Sequence, residues 1–223
     1  MIVTIDGPAG AGKSSIARVL AERLGFQFLD TGAMYRAVTL AALRQQLTEA
    51  DADQVAQLAA TLTITLSGPR IWLGSEEVTA EIRSQAVNKH VAIAASNPAV
   101  RSLMVDQQRA IGARGNTVTE GRDQGTVVFP QAECKIFLTA SPLERARRRH
   151  AQLQERGDTT PLEEVLEQQS LRDHRDSTRA VGPLKQPPGS EVVVTDGLSP
   201  AEVVARLEAI VRRCQALSQS AAG

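Results

Sequence analysis

Residues 7–14, GPAGAGKS, combine types and spacing that dictate a chemistry. They satisfy G-x-x-x-x-G-K-[ST] and stand between the apolar run IVTID and a segment of helical period that begins at Lys13. Glycines at these positions let successive main-chain N–H groups turn inward around a phosphate, and the following helix aims its positive end at the same anion. Gly7, Pro8, Ala9, Gly10, Ala11, Gly12, Lys13, Ser14 and Ser15 are therefore expected to hold a nucleoside triphosphate. Lys13 would reach the outer phosphates, and the Ser14 hydroxyl would ligate Mg²⁺.

A second set of residues carries charge rather than a motif. In TEGRDQGTVVF, residues 119–129, Glu120, Arg122 and Asp123 surround two glycines at the mouth of a strand. Taken alone, this suggests a polar ligand, with an exposed turn and a surface ion pair as the alternative. The segment LRDHRDSTR places Arg172, Arg175, Asp176 and Arg179 at i, i+3, i+4 and i+7, on one helical face. Such a face is by itself no more than solvated ion pairs. Tyr35 and Arg36 fall one turn into the helix after the second strand, on the side where open α/β sheets bind ligands, and Arg101 lies on a later helix. In SPLERARRRH, Arg145, Arg148 and Arg149 share a face and are expected to swing over the phosphates and expel water.

Together these cations define a reaction. Phosphoryl transfer depends on positioning and on stabilising charge spread over phosphate oxygens. An acceptor that is itself a phosphate is already an anionic nucleophile, so no general base is required. No His- or Cys-based catalytic constellation stands in the chain; His90, His150 and His174 read as structural or exposed. A switch GTPase would need N-K-x-D, but the chain has NKHV at 88, and DTGAMYR stands where a D-x-x-G would follow the second strand. The length of 223 residues is short for a remodelling ATPase.

The elements that must position these residues follow from periodicity. Residues 2–6 and 26–30 read as strands. The helix after the phosphate loop carries Ile16, Val19, Leu20 and Leu24 on one face, and residues 32–46 form a second helix. SPLE at 141, TPLE at 160 and SPAE at 199 each announce a helix by a capping box with Pro at the first helical position. CKIFLTA and EVVVTD are strands before two of these helices. Residues 62–80 alternate around Gly-Pro and Gly-Ser turns, as an antiparallel meander does, and helix resumes at 81–95 and after NPAVR. The expected fold is α/β, a parallel sheet flanked by helices with a small antiparallel insert.

Composition excludes other classes. Lys plus Arg and Asp plus Glu number 25 each, and only six aromatic residues are present, which argues against a nucleic-acid or anionic-membrane surface. Cys134 and Cys214 have no metal-ligand spacing and are read as reduced and structural. With no basic region before the first strand and no long apolar run, a cytoplasmic monomer is expected.

The chain resembles bacterial cytidylate kinases along nearly its whole length. The resemblance rests on IDGPAGAGKSS, LDTGAMYR, EIRSQAV, PAVR, GRDQGTVVFP, KIFLTAS, RRR, LQERG and RDHRDSTRAVGPL, in order and spacing. It implies one P-loop kinase domain, 1–223: a core (1–60, 85–149, 161–223), a β insert in the nucleoside-monophosphate-binding part (61–84) and a short helical lid (150–160). It implies ATP as donor with Mg²⁺, and CMP or dCMP as acceptor. Arg36, Arg122 and Arg179 would hold the CMP phosphate, Arg172 and Asp176 the ribose, and Arg101 and Asp123 the cytosine. Thr31 and Tyr35 would join the acceptor site, and Lys13, Arg122, Arg148 and Arg179 would act in catalysis. Asp30 is the candidate acid for Mg²⁺. The chain departs from the family at Ala92, where a serine commonly touches the base; Ser96, one turn onward, is the candidate substitute. The residues alone leave open another small-substrate kinase (for UMP, AMP or shikimate) and a regulatory module that binds a nucleotide without transferring phosphate.

Overall fold

The computed structural model describes residues 1–155 and 157–222, with only the main chain of Ala221 and Ala222. Arg156, part of the expected lid segment, lies outside the described residues. The chain begins with β1 (Ile2–Asp6), α1 (Lys13–Leu24), β2 (Gln27–Asp30), α2 (Thr31–Arg44) and α3 (Ala52–Thr61). Next come β3 (Ile64–Ser67), β4 (Arg70–Leu73), β5 (Glu76–Glu77), α4 (Gln85–His90), α5 (Ala92–Ala95) and α6 (Pro98–Gly112). It ends with β6 (Thr117–Gly121), β7 (Cys134–Thr139), α7 (Pro142–Gln154), α8 (Leu162–Thr178), β8 (Glu191–Val194) and α9 (Pro200–Ala222). By contacts, residues 1–28 with those from 115 onward form one compact unit, and residues 29–114 form another.

The first unit is built on a sheet of order β2-β6-β1-β7-β8. β1 pairs in parallel with β6 (Ile2 with Thr117 through Asp6 with Gly121) and with β7, which pairs in parallel with β8. Alternation aims Val3, Ile5, Val118, Ile136, Leu138 and Val193 at one core, where Ile16, Ala17, Leu20 and Ala21 of α1 meet Val203, Val204, Leu207, Ile210 and Val211 of α9. The buried face of α1 is thus i, i+1, i+4, i+5; Val19, expected on it, is 39% exposed because the helix is rotated by part of a turn. Cys134 and Cys214 are free thiols that meet in this core, where burial and the hydrogen bond with Cys214 push the Cys134 thiol well above its usual range.

In the second unit β3, β4 and β5 form the expected antiparallel meander, with Ile64 opposite Leu73 and Trp72 opposite Glu77. Ile71 and Val78 pack with Ala33, Ala37 and Leu40 of α2 and with Ile82 and Val87. The helix expected over 81–95 is interrupted: a 3₁₀ turn at Glu81–Arg83 is followed by two short helices, α4 capped by Ser84. Asn97 caps α6, its Oδ1 accepting from the N–H groups of Ala99 and Val100.

Two of the three capping signals act as read. Ser199 and Glu202 exchange bonds in full at α9, and Ser141 Oγ accepts from Glu144 N at α7. The third does not, since the Thr160 hydroxyl donates to Asp158 and α8 opens after Pro161 without a side-chain cap. Among the described residues no helix is long and apolar enough to cross a membrane. Leu207 is fully buried between α9 and the sheet, so Leu207→Ala is expected to lower stability by about 2–5 kcal/mol, read as a shifted midpoint in urea unfolding.

Candidate active site

The phosphate loop turns directly from the end of β1 into α1. Gly7 holds φ +151°, and a Cβ there would lie 1.9 Å from the Leu138 carbonyl oxygen, so the approach of loop to β7 admits no side chain. Gly12, in the left-handed region, precedes Lys13 as the N-cap of α1. Lys13 is buried and donates from Nζ to the Pro8 carbonyl at 2.7 Å, while Ser15 Oγ donates to the Gly12 carbonyl. Burial, aided by the neighbouring Arg122, lowers the Lys13 pKa to about 7. Ser14 Oγ donates to Glu120 Oε1 at 2.8 Å.

Glu120 is the penultimate residue of β6, opposite Ile5 of β1, and the chain that follows carries Arg122 and Asp123. After Asp123 the main chain makes a single turn of π-helix, Gln124–Val128, of the kind frequent at functional sites. Asp6, at the end of β1, holds that turn: its carboxylate accepts from Gln124 N at 2.8 Å and Gly125 N at 2.7 Å. Burial raises the Asp6 pKa to about 6 despite these two bonds. Arg122 Nε donates to Asp176 Oδ2 at 2.8 Å, and Arg179 Nη2 lies 3.7 Å from Asp123 Oδ1. Burial disfavours the Arg122 charge, but Asp176 and Glu120 outweigh it and leave the group more basic than usual. Burial likewise opposes ionisation of Asp176, and Arg122, Arg172 and Arg179 together hold its pKa below the ordinary value.

Arg179 does not share the helical face read from its spacing. α8 ends at Thr178, Arg179 is extended (ψ 143°), and its Nε turns to the Gly182 carbonyl. Leaving the helix is what lets its guanidinium approach Asp123. The first unit thus brings together Lys13, Ser14, Arg122, Asp123, Arg172, Asp176 and Arg179.

The remaining expected acceptor residues lie in the second unit. Thr31 opens α2 and is buried, Arg36 Nε donates to Asn88 Oδ1, and Ala92 opens α5, with Ser96 as that helix's exposed C-cap. Arg101 is only 2% exposed; its guanidinium sits 5.4 Å from the centre of the Tyr35 ring and donates to the Ala95 carbonyl. A charge so deeply placed is held by ring and carbonyl rather than by solvent.

Two expectations are corrected here. Asp30 serves α2, its Oδ1 accepting from Ala33 N while Oδ2 lies 3.7 Å from Arg83. The acid that touches Ser14 is Glu120, because β6 and not β2 is the neighbour of β1. Nor does Arg145 swing freely: it is buried and bonded to the carbonyls of Ala9 and Ala140. Arg148 donates to Glu144 Oε1, Thr195 Oγ1 and the Thr195 carbonyl, all of which it would have to leave to reach a phosphate.

A parallel sheet with a phosphate loop after its first strand, an acid near the end of the adjacent strand and an arginine cluster beside both defines a P-loop kinase. The fold is also that of a solved gluconokinase from Sinorhizobium meliloti, with a TM-score of 0.52 at 16% identity over 98% of this chain and 95% of that one. The cytidylate kinase family model matches residues 3–213, and the chain belongs to that family. It is 50% identical to a cytidylate kinase of Rhodopirellula baltica over 96% of this chain and 93% of the relative. It is 44% identical to one from Caldanaerobacter subterraneus over 95% and 94%. A bifunctional pantoate ligase/cytidylate kinase of Synechococcus shares 50% identity, the match spanning 95% of this chain and 41% of that protein.

The lowered Lys13 pKa gives a signature of donor binding. The free group is charged below pH 7 and loses its proton above it, whereas a bound triphosphate stabilises the ammonium. ATP binding at pH 8 is therefore expected to take up roughly one proton, with affinity falling as pH rises further. Calorimetry in buffers of different ionisation enthalpy checks this, and Lys13→Met is expected to abolish the uptake.

Proposed function

We propose that the chain transfers the γ-phosphate of ATP to CMP and dCMP, yielding ADP with CDP or dCDP. The observation that carries this reading is that Ser14 of the donor loop bonds Glu120 while Arg122, two residues further on, pairs with Asp176 of the arginine-rich segment. Donor and acceptor phosphates need cations in common at the moment of transfer, when charge is spread over the moving group. Main-chain N–H groups of residues 7 and 9–15 hold the triphosphate, and Lys13 follows its outer oxygens. Arg122 and Arg179 exchange their carboxylate partners for the acceptor phosphate, with Arg36 as a third donor. Arg172 and Asp176 take the ribose. Arg148, released from Thr195, contributes a further cation.

The Ser14–Glu120 pair suits Mg²⁺, a hard cation bound by one or two protein oxygens plus phosphates and water. Ser14 would hold the ion directly and Glu120 through water, and the ion would supply neutralisation of phosphate charge. Glu120→Gln is expected to raise the Mg²⁺ concentration needed for half-maximal turnover, as a magnesium titration would reveal.

Cytosine presents an amino donor beside two acceptors, so a carboxylate and a guanidinium match its edge, whereas uracil opposes a carbonyl to the carboxylate and an N–H to the guanidinium. Asp123 and Arg101 are assigned to the base on this chemistry, and Thr31 and Tyr35 are assigned to the acceptor on the resemblance alone. Ala92 removes one polar contact, which relaxes discrimination against UMP. The enzyme acts on small molecules rather than on nucleic acid, a reading supported by its balanced charge, and is taken to be a cytoplasmic monomer.

A coupled assay across CMP, dCMP, UMP, AMP and shikimate tests the proposal. CMP is expected to give the highest kcat/KM; preference for UMP or AMP overturns the base assignment, and ATP turnover indifferent to any acceptor favours a regulatory module. Asp123→Asn is expected to cost CMP use about 1–3 kcal/mol more than UMP use. Equal losses would remove Asp123 from base recognition.

A further inference from the structure

The segment RDHRDSTR contains two aspartates: Asp176 bonds Arg122, whereas Asp173 acts on Arg122 only through space and bonds elsewhere. Asp173 accepts through Oδ2 from Arg145 Nη1 at 2.5 Å. That same Nη1 donates to the Ala9 carbonyl at 3.0 Å, in the middle of the phosphate loop, and Nε donates to the Ala140 carbonyl at 3.0 Å. Arg145 is 5% exposed. Gln169, one turn earlier on α8, donates to the Arg145 carbonyl at 3.3 Å. A Cβ on Gly10 would come within 2.7 Å of the Gln169 amide nitrogen and 3.2 Å of Arg145 Cβ. α7 and α8 therefore rest directly on the main chain of Ala9 and Gly10. Two buried acceptors in this contact, Asp173 Oδ1 and Gln169 Oε1, have no hydrogen-bond partner among the described residues. Native proteins rarely tolerate such atoms without a functional reason.

Resting on the kinase reading above, we propose that Arg145 and Asp173 are positioning residues that couple the donor loop to the acceptor pocket. In a planar trans peptide the carbonyl and the next N–H point in opposite directions. Arg145, by gripping the Ala9 carbonyl from outside, turns the Gly10 N–H toward the donor phosphates. Asp173 fixes Arg145 to α8, whose neighbouring residues Arg172 and Asp176 serve the acceptor. An acceptor that draws on Arg172 and Asp176 shifts α8 as a rigid body, and Asp173 passes that shift to the Ala9–Gly10 peptide.

The test measures binding of a non-hydrolysable ATP analogue and of CMP, each alone and with the other saturating, alongside kcat and KM. Wild type, Asp173→Asn, Asp173→Glu, Arg145→Lys and a control at the exposed Arg147 (Arg147→Gln) are compared. In the wild type each ligand is expected to tighten the other. Asp173→Asn is expected to weaken the analogue alone by ~10-fold, leave CMP alone within about twofold, and bring the mutual tightening close to one. kcat falls more than KM for CMP rises, Asp173→Glu restores part of the tightening, and Arg147→Gln behaves as wild type. Mutual tightening that survives Asp173→Asn, or equal weakening of both ligands in step with a lower Tm, overturns the proposal. A wild type without mutual tightening overturns it also. A wild type that binds both ligands but does not phosphorylate CMP refutes the kinase assignment instead, and the analogue affinity of Asp173→Asn then decides the role of Arg145 at Ala9.

Discussion

Cations grouped tightly enough to grip two phosphates repel one another, and here carboxylates from several segments hold that repulsion in check. Arg122 helps burial pull the Lys13 pKa down to about 7, while Glu120 and Asp6 oppose the fall. Arg122 stays charged because Asp176 and Glu120 face it, and Asp176 stays ionised because three arginines surround it. Buried singly, the lysine and the carboxylates would tend to lose their charge, and an unpaired guanidinium would be strongly destabilising. The pairs Arg122–Asp176 and Arg179–Asp123 keep the arginines in place.

Strand order supplies the carboxylates. β6 enters the chain about a hundred residues after the phosphate loop but lies against β1 in the sheet, so Glu120 meets Ser14 and the Asp6 carboxylate meets the turn beyond Asp123. Asp6 is a costly choice by burial alone, as its raised pKa of about 6 records. Two main-chain N–H groups offset that cost, and in return the residue that precedes the π-turn has its direction set.

Much of the core was legible before any coordinates, because periodicity and caps are local. The parallel strands, the meander, α6 after Asn97 and α9 after Ser199 all stand where spacing placed them. The misses have more than one physical origin. Val19 fits an ideal helical face, but the real face is set by where α9 and the sheet lie. Thr160 carries a good capping signal, yet its hydroxyl is taken by Asp158. Arg179 sits at helical spacing from Arg172, but the helix ends one residue before it.

From residue types and spacing alone came the nucleotide-binding loop, the set of arginines and the kind of reaction they serve, since a glycine pattern and a charge inventory require no knowledge of what is near what. The tertiary structure alone decided which acid faces Ser14, which aspartate of RDHRDSTR bonds Arg122 and which bonds Arg145, and that Arg145 is buried rather than a free arm. It also joined Cys134 to Cys214 across eighty residues of chain. Those outcomes depend on contacts between segments distant in sequence, and such contacts are chosen by strand order and helix packing, which no local pattern encodes.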